Sequence, residues 1–195
     1  MKLLSKTFLL VALAVVISSC ASRTVSRVDP ASQIDLSGRW NDTDSKQVAE
    51  EMIRDVMSKP WLERFTAKNQ KPPVVIVGVV VNRSHEHIEA ETYIKDMERE
   101  FINSGRVRVV ENDFFREKLR EEKEQQQVNA SVDTQSKIAN ELGADFMLFG
   151  TINSTVDQYK KEKVVSYKVN MEMVRLETTE KVWLGDKEIK KYIKN

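Results

Sequence analysis

One cysteine, two histidines, four prolines and six glycines occur in 195 residues. Each scarcity excludes something. A lone Cys20 cannot form an internal disulfide, so the fold must stand on its core. Two histidines in one short stretch, His85-Glu86-His87, leave no second cluster to complete a zinc site; a solvated loop or helix start is the expectation there, with no metal and no cofactor. The few glycines make no G-x-G-x-x-G and no Walker A pattern, and no nucleophile-elbow motif is present. Four prolines rule out a long Pro-rich arm. Charge of one sign is also missing, with 31 basic against 30 acidic residues. No global field draws in nucleic acid. No catalytic residue is indicated, and the chain does not read as an enzyme.

What is present begins with an address. Lys2 and Lys6 precede the apolar run TFLLVALAVVI, Thr7 to Ile17, 11 residues long. As a helix it would span roughly 16 Å, short of a bilayer core of ~30 Å. A basic start, a short apolar core and small residues describe a secretory signal peptide over 1–19. Ile17-Ser18-Ser19-Cys20 resembles the bacterial lipobox. That resemblance implies cleavage before Cys20 and a lipid anchor on its sulfur. Residues 20–37 then read as a lipidated N-terminus and flexible tether, reaching at most ~60 Å, and 38–195 as one globular domain. Without Lys2 and Lys6, two fewer basic residues leave the mature chain at −1.

Within the domain, Asp44 with Gln47 suggests a capping box, and Val48, Met52, Ile53, Val56 and Met57 share one helical face that Pro60 ends. VVIVGVVV, Val74 to Val81, lacks polar alternation and predicts a strand buried on both faces, broken at Asn82-Arg83-Ser84. A helix over about 86–103 carries Ile94, Met97, Phe101 and Ile102 inward, and RVRVV, Arg106 to Val110, is a short strand. The charged stretch from Glu111, with Asp113 as cap and Phe115 and Leu119 as its stripe, reads as a solvated helix. Asp133 or Thr134 caps another helix, with Ile138 and Leu142 inward and Gly143 at its end. DFMLFGTI, Asp145 to Ile152, is a strand. From Val165 the pattern alternates strictly, turns at Glu177 to Glu180, and returns over Lys181 to about Ile189. The lysine-rich end protects an edge strand. Trp40, Trp61 and Trp183 are expected as packing residues. The architecture is α+β, two-layer, with helices packed on a mixed, partly antiparallel sheet.

VVIVGVVVNRS, RVRVV, KIANELGADFMLFGTI and LSGRWNDTDSKQVAEEMI carry a resemblance to the LpoB-type penicillin-binding-protein activator lipoproteins, over about Leu36 to Ile189. A related core occurs in the N-terminal domain of TolB and in curli-secretion lipoproteins. The resemblance implies an outer-membrane lipoprotein facing the periplasm, anchored to the membrane through Cys20. It implies as partner a peptidoglycan synthase, a class A penicillin-binding protein, and a role in cell-wall synthesis. The alternative is a structural or assembly lipoprotein of the envelope or of a secretion apparatus. Enteric members carry a long Pro-rich arm; this tether is far shorter. Asn82, Arg83 and Ser84 are the candidate partner-binding residues. Asn82 and Ser84 can also bond the turn itself. Arg83 is expected either to pin loop to helix or to contact a partner, the first being preferred.

Overall fold

The computed structural model describes residues 25–29, 32–110, 117 and 132–194. The chain divides into two units, Met1–Ser32 and Gln33–Asn195, and every helix and strand described belongs to the second.

Helix α1 (Asp42–Met57) follows an N-cap at Asn41. Asn41 Oδ1 accepts the Asp44 amide at 3.0 Å and Asp44 Oδ2 accepts the Asn41 amide at 2.9 Å. The capping box thus starts three residues before the Asp44–Gln47 pair expected from sequence; Gln47 instead donates to Glu51. All five apolar residues assigned to its inner face are buried. Pro60 does not simply stop this helix. It opens a second one, α2 (Pro60–Asn69), from the first-turn position where its missing N–H costs nothing. Trp61, Leu62 and Phe65 are its buried side.

Strand β1 (Val74–Arg83) leads to α3 (Ala90–Asn103), then β2 (Arg108–Val109), α4 (Val132–Glu141), β3 (Phe146–Tyr159), β4 (Glu162–Arg175) and β5 (Lys181–Lys194). α3 starts four residues later than expected, because Ser84 to Glu89 form a loop. Ile94, Met97 and Phe101 are inward as read, but Ile102 is exposed. The expected helix with Asp113, Phe115 and Leu119 lies outside the described residues.

The sheet runs β2-β1-β3-β4-β5, parallel across β2-β1-β3 and antiparallel across β3-β4-β5. This mixed sheet with its helices is the expected α+β architecture. Alternation sets its two faces. Val75, Val77, Phe146 and Leu148 belong to the main core with α1, α2 and α3. Ile76 and Met147 point the other way, into a smaller core with Ile138, Ala139 and Leu176. That is why β1 reads as an unbroken apolar run. Beyond α4, among the described residues, the far face is uncovered: Val81 is exposed and Val164 only half-buried.

Candidate functional site

The end of β1 is set by one irregularity. Val77 pairs with Leu148 but Val80 pairs with Gly150, so Gly78 and Val79 oppose a single residue. This bulge changes the parity of the strand. Without it, Arg83 would share the face of Val75 and Val77, beneath the helices. With it, Asn82 pairs with Ile152 and turns inward, while Arg83 pairs with Asn153 and faces outward. Gly78 suits the bulge: a Cβ there would press within 3.3 Å of the Leu148 carbonyl and the Met147 side chain.

The three candidate residues then do different things. Asn82 Nδ2 donates to the Glu86 carbonyl at 2.8 Å. Its Oδ1 accepts the Ser84 amide at 2.9 Å and the Ser84 hydroxyl at 2.7 Å. Asn82 and Ser84 therefore build the turn that ends β1, the local duty anticipated from their chemistry. Arg83 is exposed, and its guanidinium makes no hydrogen bond or ion pair among the described residues. The preferred expectation, an arginine pinning loop to helix, is thus corrected: the bulge turns the side chain to the face opposite α1, α2 and α3, and it bonds no helix among the described residues. Arg83 opens a polar row across the far face through Asn153, Lys168 and Glu188.

The loop that follows is stapled to the sheet. The His85 amide donates to Ser154 Oγ at 2.9 Å, and His85 Nδ1 lies 2.6 Å from the same oxygen. His85 Nε2 lies 3.4 Å from Glu86 Oε1. By type this is a serine–histidine–glutamate series. Ser154, however, sits within β3 opposite Tyr167 and is taken up by the loop. Glu86 Oε2 accepts the Trp40 amide at 3.1 Å, and the Trp40 ring meets Tyr167 edge-on at 5.4 Å. Burial, with the Glu86 carboxylate beside it, raises the Tyr167 pKa and keeps the phenol neutral. Among the described residues no three histidine, cysteine or acidic side chains gather as a metal site.

Sequence reasoning missed the group beneath this end. Lys191 on β5 is buried, and its Nζ meets Asp44 Oδ2 at 2.5 Å, Asp35 Oδ1 at 2.6 Å and the Arg39 carbonyl at 2.8 Å. The same oxygen, Asp35 Oδ1, also accepts Asn41 Nδ2 at 2.8 Å. Gly38, at φ +66°, lies where a Cβ would meet Ile193 Cδ1 at 2.5 Å. Residues 33–40 are thereby strapped along the end of β5. The signal was a break in alternation: Lys187 and Lys191 occupy inward positions, paired with Glu51 and with Asp44. Only part of the lysine-rich tail therefore guards the edge.

A family model described as peptidoglycan-synthase activator LpoB matches residues 44–189. The chain belongs to the LpoB family. The match spans all three candidate residues, α1 from its buried Asp44 onward, and all but the last five residues of β5. Among solved structures, the LpoB C-terminal domain from Escherichia coli superposes with a TM-score of 0.50 at 16% identity, covering 75% of this chain and 98% of that one. The NMR structure of E. coli LpoB gives 0.50 at 13% identity, covering 90% and 82%. The LpoB C-terminal domain from Salmonella enterica gives 0.42 at 18% identity, covering 67% and 93%. The E. coli likenesses concern the fold alone. No curated protein sequence matches the chain.

Proposed function

We propose that this chain is a lipid-anchored regulator on the periplasmic side of the outer membrane that binds and activates a class A penicillin-binding protein. It works by contact, without chemistry of its own. The observation that carries this reading is the LpoB match across nearly the whole folded unit. Cys20 is the anchor. The 12 residues from Ala21 to Ser32 reach at most ~40 Å before the folded unit begins, so the partner must approach the anchoring membrane closely.

Arg83 is proposed as a contact residue, set on a rigid strand end by Asn82 and Ser84. A guanidinium brings five donors, and none is used among the described residues. Arg83→Ala should leave thermal stability within the range of an ordinary surface change, about 0.5 kcal/mol. It should weaken binding to a class A synthase by about tenfold, close to 1.4 kcal/mol. Thermal melts and surface-plasmon binding on the same preparations check both parts. Unchanged binding would remove Arg83 from the interface; a large loss of stability would restore the pinning role.

A further inference from the structure

Most lysines among the described residues have carboxylate partners. Lys46 pairs with Glu50, Lys59 with Asp55, Lys168 with Asp186 and Lys187 with Glu51. One region gathers several basic side chains in a cleft. An open cleft of about 360 Å³ between α2 and the β4–β5 hairpin is lined by Arg64, Lys68, Arg175 and Lys181, with Glu180 the single acid. Lys181 bonds Glu172 at 2.6 Å. Arg64, Lys68 and Arg175 have no carboxylate partner among the described residues. Beneath the cleft lie the buried rings of Trp61 and Phe146, centroids 4.8 Å apart. Arg175 is half-buried, its guanidinium carbon 5.6 Å above the Phe146 ring, which holds it in place before any ligand arrives.

We propose that this cleft is a second docking site, for an acidic, extended segment of a partner protein that carries an apolar side chain between its carboxylates. Three observations choose this occupant. Arg64 and Lys68 are one helical turn apart, ~6 Å, which matches alternate side chains of an extended peptide at ~7 Å. Two arginines favour planar, bidentate acceptors such as carboxylates. Pro60, exposed, and Val182, half-buried, offer a seat in the cleft for one apolar side chain. A lipid surface fits less well. None of the large apolar side chains exposed among the described residues lines the cleft, so nothing there protrudes to enter a bilayer. The strap is also remote: Lys181 and Lys191 lie ten residues apart on one strand, roughly 33 Å. The cleft is separate from Arg83 too, since Phe146 and Asn153 are seven residues apart along β3, roughly 23 Å.

The test uses the full chain and a fluorescein-labelled peptide of alternating glutamates flanking one phenylalanine, followed by anisotropy at low salt. Arg64→Glu/Lys68→Glu should weaken binding at least about tenfold, with the melting temperature unchanged. Lys190→Glu/Lys194→Glu, which reverses two exposed lysines near the strap, should change it less than about twofold. Replacing the phenylalanine by serine should also weaken binding. Equal losses in the two double variants would reduce the effect to general charge attraction and overturn the proposal. So would binding of phosphatidylglycerol vesicles through Arg64 and Lys68 where the peptide fails.

Discussion

Lys191→Ala should cost the folded unit about 3–5 kcal/mol, the usual penalty for removing one partner of a buried ion pair. The reason is the carboxylate left behind. Asp44 is 2% exposed and its Oδ2 both accepts the Asn41 amide and meets Lys191 Nζ. Without the ammonium, that charge stays in the interior at the first turn of α1. For a unit of this size each kcal/mol lowers the melting temperature by about 2–4 °C, so a fall of about 6–20 °C is expected. Lys191→Met/Asp44→Asn should recover part of it, because it removes both charges while keeping volume. The pH dependence carries a sign at each end. Burial opposes the Lys191 ammonium, but hydrogen bonds to Asp35 and Asp44 outweigh it, and its pKa lies above the usual 10.5. That stability is present below 10.5 and is lost as pH rises through the folded value. The Lys191 hydrogen bond holds Asp35 below its usual 3.8, so its share is present above 3.8 and is lost as pH falls through the folded value. Melts of wild type and Lys191→Met across pH check both limbs, since the variant should lack them. The variant should also expose residues 33–40 to protease. A melting temperature within ~2 °C of wild type would show that the strap carries little of the fold.

Cys20→Ala should move the protein from the membrane fraction to the soluble fraction, or leave it unprocessed with its leader. Anchoring by acyl chains gains ~0.8 kcal/mol per buried methylene, and two chains hold where one is marginal. Nothing described replaces that energy: no helix among the described residues is long and apolar enough to cross a membrane. Fractionation with an outer-membrane marker, together with the mass of the mature N-terminus, reads the outcome. A processed variant that still sediments with membranes would contradict the anchor.

Periodicity carried most of the fold into view. The α1 stripe, the two-sided burial of β1 and the alternation of β4 follow from side chains that meet one core or two. Boundaries were less legible where a residue has two uses. Pro60 ends one helix or begins another, and only the burial of Trp61, Leu62 and Phe65 shows that it begins one. Asp44 looks like a cap, but it is the third residue of a box started by Asn41. The candidate site was half legible. Asn82 and Ser84 make the bonds their chemistry suggests. The outward turn of Arg83 was hidden, because it depends on a bulge at Gly78–Val79 that a run of valines does not mark. The buried Lys191 depends on partners 147 and 156 positions away, and the cleft joins Arg64 with Arg175, 111 positions apart, beyond the reach of any local pattern.

The most direct test of the central claim is the rate of glycan polymerisation by a purified class A penicillin-binding protein in detergent, with and without this protein purified from membranes. Several-fold acceleration that saturates with added protein and is weakened by Arg83→Ala is the predicted result. A synthase that neither binds the protein nor changes its rate at saturating protein would contradict the account.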